Sequence, residues 1–409
     1  MKKVPLFAGT RHFLKTLLTW LTIIPLSCLI PKQRNLILVI GRRDGSFTEN
    51  SKYFYLYLQQ IKEISLETWF VTGVISVYEG LQSHHLPVLY RFTWRTKWKM
   101  LRAHIVIVDS LEWIRDYCFL HRAFKVLLPH GAAPLKFAEL ENPAEIRRRN
   151  HWFVKFLDFI QGRFPKYDLV AINHIRHRDQ VIREYNSKNV FVLGSPRNDM
   201  LICPGFFGCE DLQTDTKVLQ SMKYHKGQGI KVIFYAPTFR DSGRNILDSP
   251  FFDFDRFNDF LKKYGLVLII APHPYSASSP SFERFSNIMI HNPLYDIYPL
   301  LKYTDVLITD YSSLCLDYLF ADKPIIFYHA DYDIYLKKDR PLRPGFFESP
   351  PGYKCMSQKE LEIALVTILI EGEDVFRQNR LKASNDIFFY KDSRSCQRVF
   401  EKIRENASL

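Results

Sequence analysis

Residues 306–328 read Val306-Leu-Ile-Thr-Asp-Tyr-Ser-Ser-Leu-Cys-Leu-Asp-Tyr-Leu-Phe-Ala-Asp-Lys-Pro-Ile-Ile-Phe-Tyr328. An apolar run, Val306–Ile308, breaks into a polar turn, Thr309-Asp310-Tyr311-Ser312-Ser313. A helical pattern follows through Leu314, Asp317 and Tyr318, and a second apolar run, Ile325–Tyr328, opens behind Lys323-Pro324. The order is strand, loop, helix, strand, with hydroxyls and backbone N–H groups gathered where the helix begins. Such a terminus attracts phosphate through unpaired donors and the helix dipole. Ser312 and Ser313 are equally able to serve as plain helix caps.

Working outward, apolar runs alternate with helical patterns along most of the chain. Leu36–Ile40, Thr68–Thr72, Ile105–Val108, Phe124–Leu128, Leu169–Ile172 and Val190–Leu193 read as strands of a first half. Lys231–Ala236, Leu266–Ala271 and the 306–328 unit form a second series. Strands that are apolar on both faces, separated by helices, predict a mostly parallel sheet covered on both sides. A polar, weakly patterned stretch at 205–229 marks a junction. The chain is therefore expected to be α/β, with two Rossmann-like, doubly wound domains facing a cleft. The expected divisions are an N-terminal segment 1–34, domains 35–210 and 211–385, and a C-terminal helix 386–409.

The bulk numbers agree with that size class. A chain of 409 residues that is 47% hydrophobic and 15% aromatic is globular and too long for one ordinary core. Its net charge of +13 suits nucleic acid, anionic lipid or a phosphorylated substrate without choosing among them. The seven cysteines are scattered without a C-x-x-C pair, which argues against a disulfide framework or structural zinc and favours a reducing cytoplasmic setting.

The N-terminus joins basic residues (Lys2, Lys3, Arg11, Lys15) to an apolar stretch, Phe13–Ile30. Its uncharged core, 16–30, is shorter than the ~20 residues that span a bilayer, and Pro25 interrupts it. No small-x-small cleavage site follows. A basic, amphipathic segment lying in the membrane interface fits this pattern, with a first helix packed on the protein itself, or a true span, as alternatives.

Four polar signatures each follow an apolar strand: His130-Gly131 with Lys136 nearby, Tyr235-Ala-Pro-Thr238-Phe-Arg240-Asp241, Pro272-His273-Pro274, and Thr309-Asp310-Tyr-Ser312-Ser313. A single histidine after a strand is usually structural. Repetition at the carboxyl ends of strands, where α/β sheets bind ligands, points instead to a site.

In this order the signatures resemble the CDP-glycerol glycerophosphotransferase family, which builds teichoic-acid-like polyol-phosphate polymers. The resemblance runs from about 35 to 395 and includes His130-Gly-Ala-Ala-Pro-Leu-Lys136, Gly194-Ser-Pro-Arg197-Asn-Asp199, the 235–241 and 305–313 strings with Asp317, and Lys323–Tyr328 with Asp333 and Tyr335. It implies a GT-B arrangement in which the C-terminal domain holds a CDP-activated donor and the N-terminal domain presents the acceptor hydroxyl. The implied reaction moves glycerol phosphate, or a related polyol phosphate, to a lipid-linked or growing cell-surface polymer and releases CMP. His130 is the expected base and His273 a second catalytic residue at the donor. Arg240, Thr309, Asp310, Ser312, Ser313 and Asp317 are the expected donor and phosphate ligands, with Gly131, Lys136, Arg197, Asp199 and Thr238 as further candidates. No cofactor and no metal are expected beyond the CDP-polyol substrate. The implied location is the cytoplasmic face of the plasma membrane, as a peripheral protein.

Departures from the family pattern fall at Ala132 and Ala133, Ala271, Arg340-Pro341, Arg343-Pro344-Gly345, and Asp392-Ser393, and bear on the polyol and acceptor more than on the reaction class. Asp253-Phe-Asp255 and Asp331-Tyr-Asp333 have the D-x-D spelling of metal-dependent transferases, a short signal that arises readily by chance. Arg91, Arg95, Lys97, Lys99 and Arg102, interleaved with Trp94 and Trp98, suit nucleic acid, anionic lipid, a polyphosphate or a solvated helix face. Arg147-Arg148-Arg149, ahead of an apolar-rich stretch at 151–164, raises the same choice. Two rival functions follow: a GT-B glycosyltransferase using a nucleotide sugar for capsule or lipopolysaccharide, and a basic RNA-binding protein.

Overall fold

The apolar runs form two parallel sheets in a computed structural model that describes residues 18, 21–61, 65–110, 113, 116–136, 166–185, 187–244, 246–247, 250–273 and 282–407. The expected basic run at 147–149, the stretch 151–164, Pro274 and most of the N-terminal segment lie outside the described residues. Contacts divide the chain into two units. One comprises Met1–His130, Ala138–Pro196 and Arg394–Leu409, and the other Gly131–Phe137 and Arg197–Ser393.

The first unit carries β1 (Gln33–Ile40), β2 (Glu67–Thr72), β3 (Val88–Tyr90), β4 (Ala103–Val108), β5 (Phe124–Leu127), β6 (Leu169–Ile172) and β7 (Val190–Val192). They pair in the order β3-β2-β1-β4-β5-β6-β7, every pair parallel. Leu38 sits opposite Trp69 on one side and Val106 on the other. Leu36–Ile40 and Ile105–Val108 are buried, as strands apolar on both faces must be.

The second unit carries β8 (Lys231–Ala236), β9 (Leu266–Ile270), β10 (Ile288–Ile290), β11 (Val306–Thr309), β12 (Ile325–Tyr328) and β13 (Tyr353–Cys355). Their order is β10-β9-β8-β11-β12-β13, again all parallel. In each sheet the chain runs outward from its first strand, then returns to that strand's other side. The order reverses between β1 and β4 and between β8 and β11, and the carboxyl ends at such reversals are where open α/β sheets bind ligands.

Local signals set the helices that cover these sheets. Asp253 accepts the Arg256 N–H and starts the helix Phe254–Tyr264. Phe254, Phe257 and Leu261 recur on its buried face, and Gly265 at φ +63 ends it in the left-handed region. Each such side chain contributes roughly 1.5–3 kcal/mol when fully buried.

Two expected divisions give way. The polar stretch near 210 is not where contacts separate the units, since the break falls between Pro196 and Arg197. The C-terminal helix does not stand apart either. Ser395–Ala407 buries Cys396, Val399, Phe400 and Ile403 in the first unit, and Arg398 Nε donates to the Leu193 carbonyl at 3.0 Å. Gly194, at φ +87, has no room for a side chain, because a Cβ there would come within 2.4 Å of Ser395 Oγ. The glycine of the 194–199 string is thus a packing requirement of that returning helix.

Candidate active site

At the reversal point of the second unit, three adjacent strands present the residues singled out from the sequence: β9 leads to His273, β8 to Thr238, and β11 to the 309–313 turn. Asp310 joins two of these turns. Its Oδ1 accepts the Thr238 N–H at 2.9 Å and the Tyr311 N–H at 2.6 Å. Thr309 Oγ1 donates to the Ala236 carbonyl at 2.9 Å. His273 is half-buried, its ring 5.7 Å from that of Phe239.

The structure revises the expected role of Arg240. It is buried, not presented to a ligand. Its Nε and Nη2 donate to Asp331 at 2.9 and 3.0 Å, and Nη1 lies 2.8 Å from Asp310 Oδ2. The guanidinium carbon lies 5.0 and 4.9 Å from the ring centres of Tyr311 and Tyr335, which stack on each other 3.8 Å apart. Burial alone would lower its pKa, but the two carboxylates hold it above the ordinary arginine value. Burial likewise pushes the Asp310 carboxyl up, and Arg240 together with the Thr238 and Tyr311 bonds outweighs it, leaving the pKa lowered. Both groups are therefore charged, and through Asp310 the pair is bonded to the Thr238 and Tyr311 backbone.

Asp317 and Arg197 are revised in the same way. Arg197 Nε and Nη2 each lie 3.2 Å from a carboxylate oxygen of buried Asp317, which also accepts the Tyr298 hydroxyl at 2.9 Å. Asp199 is buried as well, within the helix Pro196–Ile202. Thr309 and Asp310 are fully buried, so of the expected phosphate ligands on 309–317 the two serines are the ones that reach the surface. Their helix, Leu314–Tyr318, has only five residues, which weakens the dipole argument. Ser312 Oγ accepts the Leu314 N–H at 3.3 Å, in part the capping role weighed against phosphate binding.

Lys136 belongs to this unit. The segment around it is held by the Arg343 N–H donating to the Leu135 carbonyl at 3.0 Å and by a bridge from Lys136 to Leu342. Its ammonium lies 5.8 Å from the Tyr335 ring centre. Burial, with Arg340 and Arg240, pushes the amine down to about 8 against the pull of Asp310 and Asp241. Gly131 meets no steric demand, since a Cβ there would make ordinary contact with the Ala133 carbonyl at 3.6 Å.

In the first unit His130 follows β5 beside the reversal between β1 and β4. Its Nδ1 pairs with Glu49 Oε2, and Arg42 Nη1 reaches Glu49 Oε1 at 3.2 Å. Glu49 opens the helix Glu49–Gln60 with φ +57, a conformation costing a non-glycine residue about 1–3 kcal/mol. Asp109, at the end of β4, is fully buried, and burial with the nearby Glu49 charge pushes its carboxyl up to about 7. Glu49, Asp109 and Arg42 escaped the sequence reading because none sits in a recognisable string. A carboxylate after each of two strands flanking the reversal was the available signal.

Three of the four D-x-D carboxylates have partners within the protein. Asp331 serves Arg240, Asp253 caps a helix, and Asp255 pairs with Arg284 at 2.7 Å. The basic helix Trp94–Arg102 is also less open than its composition suggests. Arg91 is buried against Asp116 at 2.6 Å, Lys97 and Lys99 pair with Asp116 and Glu67, and Arg95 stacks on Trp69. Trp94, Arg95 and Trp98 on this helix are exposed, as is Phe92 just before it. Among the described residues no helix is long and apolar enough to cross a membrane.

Residues 22–405 match the sequence model of the family described as CDP-Glycerol:Poly(glycerophosphate) glycerophosphotransferase. The chain belongs to this family. It is 32% identical over 225 residues to the teichoic acid ribitol-phosphate polymerase TarK of Staphylococcus aureus, a match covering 53% of this chain and 40% of that protein. It is 29% identical over 363 residues to the teichoic acid glycerol-phosphate primase of Bacillus subtilis, covering 87% of this chain and 86% of the primase. The chain thus spans well under half the length of the ribitol-phosphate polymerases it matches. A solved structure of the wall teichoic acid polymerase TagF superposes with a TM-score of 0.70 at 18% identity over 99% of each chain, a likeness of fold.

Proposed function

We propose that this family member transfers glycerol phosphate, or a related polyol phosphate, from a CDP-activated donor to a hydroxyl of a lipid-linked or growing cell-surface polymer. The acceptor oxygen attacks the phosphorus that bears the polyol, the bond to CMP breaks with its electron pair leaving on CMP, and the hydroxyl proton passes to His130. A phosphodiester results. The observation that carries the reading is family membership through residues 22–405, joined to a histidine at a strand end whose Nδ1 is held by a carboxylate.

In the GT-B arrangement the family implies, the donor belongs to the C-terminal unit. Ser312, Ser313, Thr238, Lys136 and His273 are its proposed contacts there, with Arg240, Asp310, Asp317 and Arg197 shaping the loops rather than touching phosphate. The proposal needs no cofactor beyond the CDP-polyol. The Staphylococcus aureus and Bacillus subtilis relatives are named for ribitol and glycerol respectively, so both donors enter the test. Incubating purified protein with CDP-glycerol, CDP-ribitol and nucleotide sugars, and following nucleotide release, decides the donor class. Turnover of nucleotide sugars with both CDP-polyols left intact would overturn the proposal in favour of the glycosyltransferase.

The lipid-linked acceptor calls for work at the inner face of the plasma membrane, as a peripheral protein. Leu21, Leu26 and Leu29 are exposed on the helical stretch 21–29, whose end is held by Arg122 donating to the Ile30 carbonyl at 3.1 Å. Burial beside Arg122 and Lys125 pushes the Lys32 amine down to about 8. Exposed leucines next to clustered cations suit an anionic lipid surface.

A further inference from the structure

We propose that Glu49 is the positioning residue for His130, its carboxylate receiving the imidazole Nδ1–H and so holding the ring in the tautomer that carries its acceptor lone pair on Nε2. The proposal rests on His130 being the base, as argued above. Three observations carry it. The His130 side chain is 45% exposed while that of Glu49 is 12% exposed, so a buried anchor orients an open ring. The anchor is itself fixed, by Arg42 at 3.2 Å and by its place on the first turn of the helix Glu49–Gln60. The next residue grips the same loop by its backbone, since Asn50 Nδ2 donates to the Leu128 and Pro129 carbonyls at 3.4 and 2.9 Å. Neighbouring side chains therefore hold both the ring of His130 and the two residues before it.

The charges around Glu49 suit this role. Arg42 faces it from the loop after β1, Asp109 from the end of β4, and His130 from the loop after β5. Burial, and next the Glu49 charge beside it, pushes the Asp109 carboxyl up to about 7. As the acceptor hydroxyl gives its proton to Nε2, the ring becomes cationic, and Glu49 stabilises the cation where it forms.

The test uses the full chain, with CDP-glycerol and a synthetic acceptor ending in glycerol phosphate. Nitrogen-15 NMR of labelled histidine, with His130→Ala to assign the signal, should show the Nδ1–H tautomer in the wild-type protein. Glu49→Gln should lower kcat by about 10²-fold or more, with the donor KM little changed and the pH profile altered. Glu49→Asp should recover part of the rate. An Nε2–H tautomer in the wild type overturns the proposal even if Glu49→Gln fails to fold. A wild-type kcat and pH profile in Glu49→Gln, alongside an inactive His130→Ala, overturns positioning alone. Full turnover by His130→Ala overturns the base assignment, and the positioning role with it.

Discussion

Arg240 donates through Nε and Nη2 to the two carboxylate oxygens of Asp331, at 2.9 and 3.0 Å, with both side chains buried. A pair this deep is held together by the cost of leaving either charge alone. Removing one partner of a buried ion pair costs about 3–5 kcal/mol. Arg240→Ala is therefore expected to lower stability by that order, measured by urea unfolding. A loss below about 1 kcal/mol with donor binding abolished would return Arg240 to the ligand-binding role first read from its sequence.

His130→Ala and His273→Ala are expected to keep the fold, because both residues sit at strand ends with partly open side chains. Each should lose transfer activity, His130→Ala by about 10²–10⁴-fold as befits a general base. Circular dichroism and CMP release on the same preparations check this. Near-wild-type release from His130→Ala would remove it as the base.

Ser312→Ala and Ser313→Ala should weaken donor binding more than they slow chemistry, since a phosphate grip acts in ground and transition states alike. Calorimetric titration of the double variant with CDP-glycerol measures it. Unchanged affinity would reduce both residues to the helix-cap role that Ser312 already fills in part.

Asp109 gives the stability a pH dependence of unusual sign. Its folded pKa, about 7, lies above the ordinary carboxyl value, so between roughly pH 4 and 7 the folded state holds the proton that the unfolded state has lost. This group therefore costs stability as pH rises through that window, by up to about 4 kcal/mol. Asp109→Asn should shrink the difference between unfolding free energies at pH 5 and pH 8. An unaltered difference would show that the carboxyl titrates normally.

Full-length protein should sediment with phosphatidylglycerol vesicles at low salt, and high salt should release it only partly, because apolar burial and charge attraction act together. Each basic group adds roughly 1 kcal/mol near an anionic surface. Replacing Leu21, Leu26 and Leu29 with serine should free most of the protein, and deleting residues 1–30 should do the same. The truncated enzyme should still act on soluble acceptors, since β1 begins at Gln33. Wild-type protein that stays wholly in solution at low salt would end the membrane reading.

The long strands were legible because a parallel strand covered on both faces must be apolar throughout, and Leu36–Ile40, Ile105–Val108 and Leu266–Ile270 carry that requirement in full view. Of the three-residue strands, β7 was legible inside the apolar run Val190–Leu193. Strands β3, β10 and β13 were not, since three residues establish no period and no longer apolar run marked them. The placement of His130 and His273 at strand ends was also readable, because a polar residue after an apolar run has few other places to go.

What the sequence could decide by itself was therefore local: which runs are strands, where the turns fall, and which ordered set of polar strings marks the family. Only the tertiary structure decided what each charge faces. Arg240 meets Asp331 across 91 positions and Arg197 meets Asp317 across 120, and a guanidinium beside a turn reads alike whether its partner is a phosphate or a carboxylate. The same holds for Glu49, 81 positions from His130 and meeting it because β1 and β5 flank β4 in one sheet. Strand order is a property of the folded sheet, and it brings chemistry together that no spacing along the chain records.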